Sequence, residues 1–296
     1  MSDGSTDDWK ARLRPILASR PVRELQEVLS RYDAAGGALL ASGLAYAALF
    51  AIVPTIIFLL GLSGLLIADA SDRAALVETI ATVAEPLRPF LSASLDQLTT
   101  EAASVSVVGL VALMWGASRF LVALEYALGR ILPGERTRGV VHRNVIGIAS
   151  VVVLVGAVVG GMILAGIGSF ASALVREAAP GQAVSTTIEL VFALAASAIT
   201  VLAVAVVYRY LPAGTPSWRA ILVPSVAVAI VLGIVTNLFV FLAPRLIGAA
   251  AFLGTLATVF AALAWLGIIF QAILIGAAWT RARSERMDPS PDALGG

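Results

Sequence analysis

Apolar residues gather into six long stretches along this chain, at about residues 39–67, 105–128, 145–170, 188–211, 221–243 and 252–279. Each supplies the roughly 20 residues that a helix needs to cross a hydrocarbon core about 30 Å thick. The run 151–159 is apolar throughout, without the alternation that the strands of a membrane β-barrel require. Backbone groups in lipid must satisfy one another, so each stretch predicts a helix. The predicted fold is all-α, a polytopic bundle of six transmembrane helices.

The polar gaps predict smaller elements. After Pro21, a residue suited to a first helical position, Val22, Leu25, Val28, Leu29 and Tyr32 share one helical face. With Arg23 and Arg31 beside them, they predict an amphipathic helix lying on the inner membrane surface or packed on that end of the bundle. Between the first two spans, Leu76, Ile80 and Val83 share a face before Pro86, and Leu91, Leu95 and Leu98 share another after Pro89. Two short amphipathic helices are expected there, so both membrane surfaces carry one or more. The resulting organisation is a cytoplasmic tail and helix over 1–35, a transmembrane domain over 36–282 and a disordered tail over 283–296, marked by Pro289 and Pro291. The first 35 residues are polar and mixed in charge, without the pattern of a cleavable signal, so the first span is expected to direct insertion.

Charge orients the bundle. Fifteen Lys and Arg residues fall in alternate gaps and at the two ends: Lys10, Arg12, Arg14, Arg20, Arg23 and Arg31, then Arg130, Arg136, Arg138 and Arg143, then Arg209 and Arg219, then Arg281, Arg283 and Arg286. The intervening gaps hold only Arg73, Arg88, Arg176 and Arg245. Positive residues stay on the cytoplasmic side, which predicts both termini inside and an inner (plasma) membrane setting for a bacterial chain. An even number of spans demands the same. Composition agrees: hydrophobic residues are 59% of 296, charged residues 13%, and the mean hydropathy is +0.94. A net charge of +1 carries no message about partners, because opposite charges are sorted across the bilayer.

Little here suggests catalysis. Cysteine is absent, and the one histidine, His142, lies in an arginine-rich loop without a carboxylate cluster nearby. No phosphate-cradling glycine loop and no zinc-binding His pair occur, and the cytoplasmic acids Glu24, Glu27, Asp33, Glu135 and Glu285 are scattered. The expectation is a chain that is not an enzyme, uses no cofactor or metal, and binds no nucleic acid. Intramembrane polar groups are better candidates, because they are costly at that depth. Arg119 leads, four residues after Trp115 on one helical face. It reads either as a contact for an anion or headgroup or as a side chain snorkelling to the interface over Trp115. Glu125, six residues on, is poorly spaced to pair with it within the helix. Asn237 and Gln271 lie deep in spans five and six, where an amide ordinarily bonds a neighbouring helix. Gly156, Gly160 and Gly161 permit close helix contact inside the bundle, or between copies in a homo-oligomer. Pro54 bends or hinges the first span after Tyr46.

Several of these positions form an ordered set. The segment Ala45-Tyr46-Ala47-Ala48-Leu49-Phe50-Ala51-Ile52-Val53-Pro54 resembles a signature of the YihY/BrkB family. Trp115 to Arg119 follows, then Tyr208-Arg209-Tyr210-Leu211-Pro212 with Trp218-Arg219, and finally Gly276-Ala277, so the likeness covers roughly residues 20–282. It implies a six-span inner-membrane protein of poorly defined activity. Relatives have carried the label ribonuclease, widely regarded as a misassignment, and the residues above lend it no support. Ala51, Gly129 and Ala278 depart from the family pattern, which commonly has Ser, Asn and Glu there. Losing the last carboxylate weakens a proton-coupled mechanism. Carried over from the family are Tyr46, Pro54, Trp115, Arg119, Arg209, Pro212, Trp218 and Arg219. Two functions remain open: a transporter- or flippase-like protein for an amphipathic or anionic envelope substrate, with membrane lipids as partners, and a structural or scaffolding protein that moves nothing.

Overall fold

The computed structural model describes residues 20–66, 88–133, 182–212, 216–249 and 255–287, with isolated positions 156, 164, 167, 168, 171, 172 and 175. Regular structure among them is helical: α1 (Arg20–Ala34), α2 (Gly37–Leu66), α3 (Arg88–Ile131), α4 (Gln182–Tyr210), α5 (Trp218–Ala249) and α6 (Thr255–Met287). The isolated positions are helical too. Four segments are long and apolar enough to cross a bilayer: Val107–Ile131 in α3, Thr186–Tyr210 in α4, Trp218–Phe239 in α5 and Val259–Met287 in α6. The bent pair α1 and α2 supplies a fifth if counted as one span. Only 17–22% of each of the four is buried inside the protein, so most of their apolar surface needs a lipid cover.

One expectation is corrected. The gap before the second span does not hold a separate short helix after Pro89. Leu91, Leu95 and Leu98 belong to α3, which continues unbroken for 44 residues, about 66 Å at a rise of about 1.5 Å per residue. From Phe90 to Val108 no Gly or Pro interrupts the chain, and Pro89 sits in the first turn, where its missing N–H costs nothing. The segment with Leu76, Ile80 and Val83 lies outside the described residues.

Between α1 and α2 the chain turns through 64°. Ala35 N–H donates to the Arg31 carbonyl at 3.1 Å and Gly36 N–H to the Asp33 carbonyl at 2.9 Å. Gly36 then takes a φ of 73°, a left-handed value that glycine adopts without steric cost.

Two compact units emerge. The first comprises Met1–Leu40, Glu125–Gly233 and Gln271–Gly296. Its core gathers Leu128, Ile131, Tyr208, Leu211, Pro212, Ile221 and Leu274, all essentially without exposure. Within it Gly168 meets α4 so closely that a Cβ there would lie 2.6 Å from Phe192. The second unit comprises Ala41–Leu124 and Ile234–Phe270. Aromatic contacts mark it: Phe120 with Phe270 at 5.8 Å, and Phe239 stacked on Trp265 at 5.1 Å.

Candidate functional site

In the second unit α2 and α3 cross at a glycine. A Cβ added to Gly116 would lie 3.1 Å from the Phe50 carbonyl oxygen and 3.2 Å from the Ala51 Cα, so the two backbones almost touch. Phe50 is four residues before Pro54, which has no N–H to return to that carbonyl. The proline-freed carbonyl therefore faces the one residue type on α3 that leaves room for it. Nearby, the Thr55 hydroxyl donates to the Ala51 carbonyl at 2.7 Å and the Ser118 hydroxyl to that of Met114 at 2.6 Å, so both small polar groups are satisfied locally.

Two side-chain pairs flank this crossing. On α2, Tyr46 and Phe50 are one turn apart with ring centroids at 4.6 Å. On α3, the Arg119 guanidinium stands 5.8 Å from the Trp115 ring centroid. Tyr46 and Trp115 are each 59% uncovered by protein, and Arg119 is exposed as well. Arg119 lies within an apolar span, 12 residues and about 18 Å before the Ile131 end of α3. No carboxylate pairs with it among the described residues. A guanidinium carries five N–H donors, and an aromatic face engages the cation without using them up. An Arg inside a span costs up to about 2.5–3.5 kcal/mol on insertion scales, so an anionic oxygen there would be strongly favoured. Trp115 and Arg119 thus form an open pair on α3, and Tyr46 and Phe50 an open pair on α2.

The remaining motif residues do different work. In the first unit Arg209 donates to the Pro216 carbonyl at 2.6 Å and lies 6.0 Å from the Trp218 ring, which meets Tyr210 edge-on at 6.4 Å. Together they tie the end of α4 to the start of α5 across the turn that contains buried Pro212. Arg219 is exposed. Asn237 and Gln271 occupy exposed positions on α5 and α6; Asn237 belongs to the second unit, as Arg119 does, and Gln271 to the first. At Gly156, which is exposed, no described atom comes within 4 Å of a Cβ position, whereas Gly160 and Gly161 lie outside the described residues. Among the described residues of that span, Gly168 makes a close helix contact.

Sequence reasoning missed the role of Tyr208. Fully buried, its hydroxyl donates to the Ile273 carbonyl at 2.5 Å, and a Cβ on Gly276 would sit 2.5 Å from that same oxygen and collide with Val228. The Gly276-Ala277 pair was the available signal: small residues inside a span mark close approach.

A charged rim completes the first unit. At a rise of about 1.5 Å per residue, the 29-residue segment Val259–Met287 measures about 43 Å, longer than a hydrocarbon core of about 30 Å, so its charged last turns project beyond the core. There Glu285 accepts from Arg31 of α1 at 2.6 Å and from Arg281 at 2.8 Å. Arg286 pairs with Glu27 at 3.0 Å and also with Glu24, while Arg31 pairs with Glu27 at 2.7 Å. Partial burial by itself would raise the Glu285 carboxyl, but hydrogen bonds from Arg281 and Arg31, with their charges, hold it below its ordinary value of 4.5. Burial, helped by the Asp33 charge, raises the Tyr32 phenol above 10.0. Exposed pairs of this kind contribute about 0.2–1 kcal/mol each. Among the described residues no group of three His, Cys, Asp or Glu side chains is placed to hold a metal ion.

The family model described as virulence factor BrkB matches residues 28–295, and the chain belongs to that family. It is an integral membrane protein. No curated protein and no solved structure matches it.

Proposed function

We propose that this BrkB-family chain is a non-catalytic, six-span protein of the bacterial inner membrane, with both termini cytoplasmic, that moves an anionic amphiphile past the Trp115 and Arg119 pair. The sorted arginines support the orientation. A single observation carries the function: an exposed guanidinium within an apolar span, over the Trp115 ring and lacking a carboxylate among the described residues. An anion drawn there neutralises a charge that is costly inside a span, while the exposed Trp115 ring beside it offers an apolar surface to an acyl chain. Basic inner loops favour the same headgroups.

The test uses proteoliposomes containing a fluorescent anionic phospholipid, with quenching of the outer leaflet reporting movement. Arg119→Ala is expected to abolish protein-dependent movement without altering folding, and Arg119→Lys to retain part of it. Unchanged movement in the alanine variant would dispose of the proposal. A scaffolding reading rests on α3, whose 44 residues measure about 66 Å, longer than a hydrocarbon core of about 30 Å, so that its excess length would be presented to partners. Absence of any protein-dependent movement in the unmutated chain would favour that reading.

A further inference from the structure

The rim that joins the chain's two ends is built to come apart. Among the described side chains of α1 only Val28 and Tyr32 are buried, while Leu25 and Leu29 on the same helix remain exposed. A 15-residue helix is marginal on its own, so α1 persists through what it touches. Beyond buried Val28 and Tyr32, α1 is held by charge. Glu24, Glu27 and Arg31 meet Arg286 and Glu285 across 254 to 262 residues of sequence, and Arg281 holds Glu285 from within α6. All of these side chains are between 23% and 50% exposed, where salt screens them effectively. Arg281 also donates to the Ile131 carbonyl at 3.3 Å, so the α6 half of the rim is fixed to the end of α3 and the α1 half is the mobile partner. The connection to α2 is a two-residue turn with Gly36 at a left-handed φ, and the Tyr32 ring packs directly over Gly37, where any side chain would strike it.

We propose that α1 is a hinged strap, held on the C-terminal turns of α6 by the Glu24, Glu27, Arg31, Arg281, Glu285 and Arg286 charges and released when those charges are screened. The hinge is Ala35–Gly36. Release exposes Val28 and frees the rim of α6 without disturbing the spans. It is independent of the Arg119 reading.

The chain has no cysteine, so spin labels at Gln26→Cys and Met287→Cys report the strap position in the full-length protein in lipid nanodiscs. Raising salt from about 0.1 M to about 1 M shortens the Debye length from about 10 Å to about 3 Å, and the short-distance population is expected to lose most of its amplitude to a longer one. Arg286→Glu, which sets like charges against Glu24 and Glu27, is expected to give the long distance even at low salt. Adding Glu24→Arg and Glu27→Arg to that variant restores the short one. A distance distribution in the unmutated chain that does not change with salt would overturn the proposal, and that measurement needs no variant in the cluster. So would a charge-swapped protein that folds and stays at the long distance.

Discussion

Two arginines in this molecule stand over tryptophans at nearly the same distance, 5.8 Å for Arg119 on Trp115 and 6.0 Å for Arg209 on Trp218, yet their situations are opposite. Arg209 is part-buried in the first unit and spends a donor on the Pro216 carbonyl at 2.6 Å, closing a turn between two helices. Arg119 is exposed in the second unit, within an apolar span, with no carboxylate partner among the described residues. A stacked arginine is therefore not a function in itself. What the remaining donors face decides the role: a backbone carbonyl makes it a brace, and an open apolar surface makes it a receptor for an anion.

The sharpest way to break this comparison is to delete each arginine in turn. Arg119→Ala should lower lipid movement in proteoliposomes by about tenfold or more, a change of about 1.4 kcal/mol in barrier, with thermal unfolding in detergent unchanged. Arg209→Ala should do the reverse, costing about 1–2 kcal/mol of stability through the lost charge-assisted hydrogen bond while sparing movement per folded molecule. Equal effects from both would mean the two sites do not differ in kind. Gly276→Leu probes the closed unit more directly. Its side chain must displace Tyr208 and Val228, so overpacking should cost about 1–3 kcal/mol, read as a lowered midpoint of thermal unfolding.

Smaller effects sharpen the picture. The Glu285 carboxyl is held below 4.5, so its pairing stabilises the protein above that value and is lost as pH falls through its lowered pKa. Glu285→Gln should therefore destabilise by less than about 1 kcal/mol at neutral pH, a difference that shrinks on acidification; a difference that grew in acid would contradict the assignment. Finally, the Ser225 hydroxyl is buried without a hydrogen-bond partner among the described residues. Ser225→Ala should be neutral within about 0.5 kcal/mol or slightly stabilising, since it removes an unsatisfied group rather than a contact.

Local spacing made half of the candidate site legible. Trp115 and Arg119 are four apart on one helix, as are Tyr46 and Phe50, and residues so spaced must share a face. That the two pairs flank one helix crossing was not legible, because it depends on Gly116 meeting the carbonyl that Pro54 frees more than sixty positions earlier. Asn237 and Gln271 show the converse. Depth in a span marked them as amides that ordinarily bond a neighbouring helix, but depth has no bearing on which way a side chain turns, and both positions are exposed. Tyr208 stood in a motif but its role was not legible, because a buried tyrosine and a lipid-facing one look alike until its acceptor, 65 residues away, is known.

By itself the sequence determined that this chain is helical, lives in a membrane and belongs to its family. Those properties follow from apolar run length, the absence of alternation and local motifs, all of which are features of adjacent residues. Tertiary structure alone decided that Gly116 of α3 meets the Phe50 carbonyl of α2, and that α1 is tied to α6 by opposite charges 254 or more residues apart. Each of those depends on contact between segments distant along the chain, and contact is set by which surfaces pack together rather than by what any one segment prefers.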